Sequence, residues 1–450
     1  MTKIIRGGVT FAYVFDLTPY YIIMKRKFIL PLITTLFFSS LGFAENPTNS
    51  VVIDTTKSGT LLLKPTASTN YDIEIKEGVT FTNTALRIVN DVAGDGCTYN
   101  IFGAGDLVVT GTNSAHAVVF GNGSNKTPNS NIILDVNTTV NKSTGNGSNV
   151  TLTNEINVSF YKNLTATGLI LSDNGGSANG TVTFGKVGST TAYTATFGSL
   201  NGKTLTLTVN KNYTVNVADS ITAKSITLNG GTLNASKDMN FSGISYLSSG
   251  TIKSSQRISL GTGATLVHTG GNLSAGFGLQ FTGATYEYHG GSSVQQIVTG
   301  GGTVKLYNDI SMSLMKVNGA KTLDIYWNGF ETTLTGNIKA GYQGLYTDGD
   351  VDAKFNLIVE KGYNWENDKF FVGNITKEDL TNRIGAVQIG DTRYEAKDEW
   401  GKVLEFVAAT ITVGNTQYDG FYINTVPEPA EWAMIFGAIA LAFVAYRRRK

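Results

Sequence analysis

The chain has 450 residues, with 35 Lys and Arg against 34 Asp and Glu, and only 15% of its residues are charged. A net charge near zero argues against a nucleic-acid partner, because binding phosphates requires a basic face. The 20 Tyr and 23 Phe, together with the low charge, exclude intrinsic disorder, and the 52 Gly suit a long all-β chain with many turns. Cys97 is the only cysteine. It can form no intramolecular disulfide, so we expect a buried free thiol.

The chain begins with two segments that we expect to lie outside the fold. Residues 24–44 are typical of a signal peptide, with a positively charged start, an apolar run at Phe28–Phe38 and small residues before the cleavage point. We predict that signal peptidase cuts between Ala44 and Glu45. Residues 1–23 do not resemble the start of an exported protein. They are either an upstream start assigned in error or an extended signal sequence.

Residues 45–353 form a body of short alternating segments separated by Gly, Asn, Asp and Ser, which predicts strands and turns. Apolar side chains would point inward, Thr, Ser, Asn and Lys outward, and Gly or Asn would occupy the corners. The predicted strands include Val51–Ile53, Asn131–Val136, Lys203–Val209 and Tyr213–Val217.

A regular repeat is visible in the middle of this body, with a period of about 20 residues. Glycines followed by a polar and then an aliphatic residue recur at Gly231, Gly250 and Gly271, and more loosely at Gly291. Such a period predicts a right-handed parallel β-helix, a solenoid whose coils bury their apolar faces against one another and stack Asn and Thr in ladders. A series of β-sandwich modules is the alternative, because alternating strands alone do not separate the two folds.

Two histidines lie about one coil apart, His268 and His289, each just before a Gly-Gly pair. Stacked coils would bring them close enough to share a metal or a proton. Two imidazoles without a carboxylate or thiol make a poor site, however, and the alternative is a pair of turn residues facing solvent.

The only acidic cluster consists of Asp348, Asp350 and Asp352. Alternating carboxylates suit Ca²⁺, but Ala353 stands where a calcium loop needs Gly. The cluster is therefore a weak calcium candidate, and the alternative is a solvated turn. We expect no bound metal and no cofactor.

Catalytic groups are sparse. A polysaccharide lyase or hydrolase needs a base with a basic partner, or two carboxylates across a cleft. Arg257 is the only arginine in the region where the period is clearest. The sequence therefore favours a structural or adhesive protein over an enzyme, with a carbohydrate-active enzyme on the same scaffold as the alternative. Tyr286 and Tyr288 either stack on sugar rings or pack inside the fold.

Residues 354–425 differ in composition from the preceding body, because glycine becomes less frequent and charged residues become more frequent. Predicted strands are Phe355–Val359, Phe370–Val372 and Val403–Val407. Thr376 predicts a helix start, since an acid follows three residues later, and Gly385 predicts its end. We interpret this segment as a β-rich cap on the solenoid.

The last segment, residues 426–450, combines three features. A motif of Val426, Pro427, Glu428 and Pro429 precedes an apolar run of about 15 residues, although a full membrane span usually takes about 20. The run predicts a transmembrane helix of marginal length, with the body outside by the positive-inside rule. The basic tail that follows consists of Arg447, Arg448, Arg449 and Lys450.

This arrangement resembles the PEP-CTERM sorting signal of Gram-negative bacteria, while the repeats resemble those of autotransporter-like surface proteins in general texture. The resemblance implies an inner-membrane intermediate, recognition by an exosortase-type enzyme, and delivery to the cell surface or extracellular matrix. An ordinary C-terminal anchor is the alternative and predicts the same topology. We therefore expect an exported structural or adhesin-like protein that contacts extracellular polysaccharide or another surface.

Overall fold

The fold is built almost entirely of short strands, as the alternating sequence predicts. Among the described residues, strands hold 61% and helices are few, which confirms the all-β class. The computed structural model describes residues 48–63, 70–88, 97–110, 118–120, 130–141, 150–152, 156–167, 170–173, 180–337, 341–347, 352–426 and 429–448.

The first half of the strands runs as follows: β1 (Thr48–Ile53), β2 (Lys57–Leu63), β3 (Asn70–Ile75), β4 (Thr80–Ile88), β5 (Thr98–Val109), β6 (Val118–Phe120), β7 (Asn131–Asn141), β8 (Val150–Leu152), β9 (Asn157–Phe160), β10 (Leu164–Thr167), β11 (Ile170–Asp173), β12 (Thr181–Phe184), β13 (Tyr193–Phe197), β14 (Ser199–Asn210), β15 (Tyr213–Val217), β16 (Ile221–Ala235), β17 (Met239–Phe241) and β18 (Ile244–Ser254). The second half follows: β19 (Ile258–Leu260), β20 (Thr265–His268), β21 (Asn272–Ala275), β22 (Leu279–Phe281), β23 (Ala284–Tyr288), β24 (Gln296–Thr299), β25 (Gly302–Leu306), β26 (Ile310–Met312), β27 (Leu314–Val317), β28 (Thr322–Tyr326), β29 (Thr332–Leu334), β30 (Leu345–Thr347), β31 (Lys354–Val359), β32 (Phe370–Gly373), β33 (Ile384–Ile389), β34 (Thr392–Tyr394), β35 (Leu404–Val413) and β36 (Thr416–Thr425). Three helices complete the described chain: α1 (Lys377–Arg383), α2 (Lys397–Trp400) and α3 (Pro429–Arg448).

Within the described chain, 31 of the strands form one large and mostly parallel sheet, in which a strand pairs with another that follows it about one coil later. Thr206 lies opposite Ser225, Thr227 opposite Tyr246, and Thr265 opposite Thr285. The predicted spacing therefore holds in the middle of the chain. Towards the ends the steps lengthen, as between the partners Thr98 and Asn131 or Phe355 and Ile384, because longer loops are inserted between strands. Parallel pairing at these spacings is consistent with a β-helix.

Alternation decides which side chains enter the core. Along β7 every second residue is buried, as a period of two requires. Aromatic rings pack against one another between coils, with 5.5 Å between the ring centroids of Phe160 and Phe184 and 5.8 Å between those of Phe184 and Tyr213. The Cys97 thiol is buried and free, as predicted.

Polar ladders run along the sheet, as the stacked Asn and Thr residues predict. Asn163 Nδ2 donates to Asn137 Oδ1 at 3.3 Å, and Asn137 Nδ2 donates in turn to Asp106 Oδ1 at 3.3 Å. Each amide thus links its own coil to the previous one.

The repeating glycines also stack. A Cβ at Gly271 would lie 2.7 Å from the carbonyl oxygen of Gly250, and one at Gly291 would lie 2.5 Å from that of Gly271. Gly250 and Gly271 have φ values of 90° and 82°, which disfavour other residues. The period seen in the sequence is therefore a column of close backbone contacts.

The C-terminal part changes from parallel to antiparallel pairing. Strands β31 and β33 continue the parallel register, whereas β32, β36 and β35 pair antiparallel in a second sheet of five strands. Thr376 caps α1 by accepting a hydrogen bond from the Asp379 amide, as predicted. The predicted end at Gly385 is wrong, because Ile384 is already extended and begins β33.

Helix α3 forms in the apolar tail. Several of its apolar side chains are exposed, among them Leu441 (71%) and Phe443 (62%), while Arg447 and Arg448 fill its last turn. Among the helices of the described chain, none is both long and apolar enough to cross a membrane. The predicted transmembrane helix is therefore corrected to a short C-terminal helix, because its uncharged stretch of about 15 residues falls short of the roughly 20 that a span requires.

Candidate functional site

The site with the richest chemistry is a cleft of about 340 Å³ near the C-terminal end of the parallel sheet, here called the acidic cleft. Its walls come from three loops, which follow β25, β28 and β31 in neighbouring coils. The lining residues are Asp309, Asn328, Gly329, Phe330, Glu331, Gly362, Tyr363, Asn364, Glu366 and Lys369.

The turn after β28 shapes one wall. Asn328 and Gly329 have φ values of 59° and 78°, a conformation that Asn and Gly tolerate better than other residues. A Cβ at Gly329 would collide with the carbonyl oxygen of Asn364 from the facing loop. The two loops can therefore approach each other only because residue 329 is glycine.

A buried tryptophan supports the floor. Trp327 is fully buried, with its ring centroid 4.8 Å from that of Trp365 and 5.5 Å from that of Phe370. Its indole Nε1 donates to the Phe330 carbonyl oxygen, which closes the turn. The loops of the acidic cleft are thus packed against the core.

Aromatic rings line the mouth of the cleft. The side chain of Tyr363 is 39% exposed, and its ring lies 6.1 Å from that of Phe330 and 6.2 Å from that of Tyr307. The Tyr307 ring stacks at 4.5 Å on the imidazole of His289. A band of rings therefore crosses successive coils.

A carboxylate and an amide fix the geometry behind these rings. Asn328 Nδ2 donates to Glu360 Oε2 at 2.9 Å, and the Glu360 amide donates back to Asn328 Oδ1 at 2.9 Å. Tyr307 Oη donates to the same Glu360 oxygen at 3.2 Å. Burial, followed by the negative charge of Glu360, raises the pKa of Tyr307, so its hydroxyl remains a donor.

A second charged group flanks the band. Lys305 Nζ lies 3.0 Å from Glu287 Oε1, and His289 Nε2 lies 4.0 Å from Glu287 Oε2. The neighbouring His289, with a further contribution from Lys305, lowers the pKa of Glu287 to about 2. This carboxylate therefore stays ionised at any physiological pH.

The cleft itself carries more negative than positive charge. Asp309, Glu331 and Glu366 line it against Lys369 alone. Asp309 Oδ1 accepts a 2.8 Å hydrogen bond from the Glu331 amide, and the Glu331 carboxylate lies 3.9 Å from Lys369 Nζ. An anionic ligand would be repelled at this site, whereas hydroxyl groups would find acceptors.

A second concave surface, of about 940 Å³, lies beside the hairpin of β35 and β36. Its polar groups are mostly amides and hydroxyls. The lining residues are Gly341, Gln343, Asn374, Ile375, Thr376, Ala408, Ala409, Thr410, Gln417, Tyr418, Asp419, Gly420 and Phe421.

The histidine pair predicted from the repeat does not form a shared site. His268 is fully buried, with Nδ1 3.0 Å from Tyr286 Oη, whereas His289 follows the end of its strand and stacks on Tyr307. His268 lies opposite Tyr288 in the register, so the two histidines are one position out of phase. The solvent-facing alternative is wrong for His268. Tyr286 and Tyr288 are also buried and pack inside the fold.

Of the weak calcium candidates, Asp352 lies in an exposed turn before β31, while Asp348 and Asp350 fall outside the described residues. Within the described part of the chain, no group of three or more His, Cys, Asp and Glu is arranged to hold a metal ion.

The predicted sorting residues are placed in part. The Val426 amide donates to the Val403 carbonyl oxygen at 2.8 Å, which ties the start of the tail to the hairpin, and Pro429 begins α3. The Arg447 guanidinium lies 5.8 Å from the Phe443 ring centroid. Outside the described residues lie Ala44, Glu45, Pro427, Glu428, Arg449 and Lys450.

Sequence reasoning missed the acidic cleft, although a signal was present. The segments Trp327–Phe330 and Gly362–Trp365 each combine Trp, Gly and Asn with a second aromatic residue. The two turns are separated by roughly the length of one long coil, so they could have been placed side by side.

Comparison with known proteins identifies no relative: no protein-family model, curated protein or solved structure matches the chain.

Proposed function

We propose that this chain is an exported, non-catalytic surface protein, built on a right-handed parallel β-helix, that binds neutral sugar chains in its acidic cleft. The observation that carries the proposal is the exposed Tyr363 ring beside Phe330, in a cleft whose remaining groups are mostly carboxylates and amides. The face of an aromatic ring packs well against the apolar face of a sugar. Carboxylates and amides offer hydrogen bonds to its hydroxyls.

The charge of the cleft selects among sugars. With Asp309, Glu331 and Glu366 against Lys369, a uronic acid or sulfated sugar would meet net repulsion. Neutral hexoses or amino sugars would not. The ligand class is therefore an uncharged or cationic polysaccharide.

A glycan panel tests this proposal. Isothermal titration of the purified chain should give heat with neutral oligosaccharides, and Tyr363→Ala should weaken binding about tenfold, because loss of ring packing costs ~1.5 kcal/mol. Tyr246→Ala is the matched control, since Tyr246 is 45% exposed on β18 in an earlier coil. Unchanged affinity of the Tyr363 variant, or preferential binding of anionic glycans, would contradict the proposal.

The alternative is a glycoside hydrolase, which the shared cleft of Asp309, Glu331 and Glu366 favours, since hydrolysis uses paired carboxylates. Incubation with the same panel decides between the two functions. Release of reducing ends that Glu331→Gln abolishes would establish the enzyme, whereas binding without turnover supports the surface protein.

We propose the cellular destination of the protein from the two ends of the chain. A signal peptide at residues 24–44 would export the body, and an exosortase-type enzyme would recognise Val426, Pro427, Glu428 and Pro429 at the inner membrane. The exposed apolar side chains of α3, followed by Arg447 and Arg448, support recognition of the tail at a membrane surface.

Mass spectrometry of the cell-associated and released forms tests the proposed processing at both ends of the chain. We expect a mature N-terminus at Glu45 and loss of the tail after the motif. An intact Arg449 in the released protein would exclude complete processing.

A further inference from the structure

The edge of the second sheet offers an interaction surface. In this five-stranded sheet the order is β26, β29, β32, β36 and β35, so β35 is terminal. It pairs with β36 on one side, and no other strand of the described chain pairs with it. Within the described residues, the backbone of β35 therefore has no strand partner on its other side.

The hydrogen bonds of the hairpin identify which groups point outward. The two-residue turn at Gly414 and Asn415 joins Val413 to Thr416, and the Val426 amide donates to the Val403 carbonyl oxygen. In antiparallel pairing the bonded residues alternate, so odd-numbered residues of β35 face β36. Backbone N–H and C=O groups point outward at Phe406, Ala408, Thr410 and Thr412.

This edge lacks the features by which proteins discourage pairing. Native edge strands are short, charged or interrupted by proline. The other end of the same sheet, β26, has only three residues, and the edge strand β34 has three residues that include Arg393. Strand β35 has ten residues, no proline or lysine, and a single charge at Glu405.

The side chains of β35 are suited to pairing with themselves. Val407 and Val413 are 39% and 37% exposed. In an antiparallel pair centred on Ala409, Val407 would lie opposite Ile411 and Ala408 opposite Thr410 of the second copy. Glu405 would lie opposite Val413, so no like charges face each other.

We propose that two copies of this chain associate edge to edge through β35, antiparallel and about a twofold axis at Ala409. The outward groups of Phe406, Ala408, Thr410 and Thr412 then pair with those of the second copy. The two five-stranded sheets merge into one continuous sheet. The interface is isologous, so it closes at two copies and does not grow into a fibre. It does not depend on what the acidic cleft binds.

Disulfide trapping tests the register. At the twofold axis Ala409 faces its own copy in a non-hydrogen-bonded pair, where the Cα atoms lie about 4.5 Å apart, within disulfide reach. In the purified full chain, held in a mild detergent that covers α3, Ala409→Cys treated with diamide should give a covalent dimer. The native Cys97 is buried and does not compete. Val413→Cys is the control, because its partner in this register is Glu405. Equal cross-linking of both variants, or no cross-linking of Ala409→Cys, would overturn the register.

Sedimentation equilibrium tests the association itself. The unmodified chain should be dimeric at about 100 µM, and Ala408→Lys, which places a charge on the edge, should weaken the dimer at least about tenfold. Val187→Lys adds the same charge at a side chain that is 83% exposed, outside β35, and should leave the dimer intact. A monomeric unmodified chain, or an Ala408→Lys variant as dimeric as the parent, would contradict the proposal.

Discussion

At the scale of single residues, two kinds of constraint dominate: glycines held against the previous coil, and polar side chains enclosed by the core. The glycine column forms because each carbonyl occupies the space that the next Cβ would need. His268 is enclosed where most core residues are aliphatic, and it shares a hydrogen-bonded chain with Tyr286 and Ser293. The first constraint should affect the free energy of unfolding, and the second should affect its dependence on pH.

The glycine column predicts a position-specific cost. Gly250→Ala should lower the free energy of unfolding by about 3 kcal/mol, because it combines a positive φ with a collision against the Gly231 carbonyl. Gly263→Ala is the control, since Gly263 has φ 76° but open space around it, and should cost only about 1 kcal/mol. Urea denaturation measures both. Equal costs would show that the stacking contact is unimportant.

His268 predicts a pH dependence of stability. Burial lowers its pKa to about 4, an effect that the backbone of Gly271 and Gly270 offsets only in part. The unfolded chain therefore binds more protons than the folded chain between pH 6.5 and 4. Stability falls as the pH drops through this window, by at most about 3 kcal/mol. In His268→Gln this contribution should disappear, and an unchanged pH profile from chemical denaturation would argue against it.

At the scale of elements, strand identity follows from alternation, whereas strand partners depend on loop length. Strand β15 is predicted to the residue, because alternating Tyr213–Val217 is bounded by turn residues on both sides. Strand β35 continues to Val413, beyond its predicted end at Val407, because the second half packs against a neighbouring strand and not against the core.

Variable loop length is also the reason why the sequence did not reveal every strand partner. The repeat is visible where loops are short, but the longer step from Thr98 to its partner Asn131 hides it. The acidic cleft joins the loops after β25, β28 and β31, which are neighbours in the register but separated in the chain, so a local pattern alone does not reveal it. The matching turns at Trp327–Phe330 and Gly362–Trp365 were the one sequence signal that two of these loops lie side by side.

The asparagine ladder gives a prediction at this scale. Asn137→Asp would place a carboxylate against Asp106, whose Oδ1 now accepts from the Asn137 amide at 3.3 Å. Repulsion between stacked carboxylates should cost about 1 kcal/mol at low ionic strength and less at high ionic strength, because salt screens exposed charges. Asn137→Ala, which lacks the charge, should show no such salt dependence. Thermal unfolding at the two salt concentrations checks this, and identical behaviour of the two variants would exclude repulsion.

At the scale of the whole molecule, the strands of each coil pair with those of the coils directly before and after it. Stability in such an array is approximately a sum of coil and interface terms, so unfolding need not be all-or-none. The parallel register from β1 to β33 gives the array its continuity, and the antiparallel hairpin of β35 and β36 lies at its C-terminal side.

Truncation of a core side chain in the middle of the array should therefore make the two parts of the array unfold in separate transitions. Leu247→Ala empties a fully buried position in β18, costs about 3 kcal/mol, and should split a single calorimetric transition into two. Leu404→Ala, at the hairpin end, should instead leave the main transition in place. A single shifted transition for Leu247→Ala would mean that the coils unfold as one unit.

The coil-by-coil register also determines how the molecule responds to tension. If force is applied between the two ends of the body, the hairpin of β35 and β36 would open one residue pair at a time, and successive coils would open after it. Each coil of about 20 residues would release roughly 70 Å of chain when it opens. Under a sudden pull the protein would therefore lengthen in steps and dissipate energy.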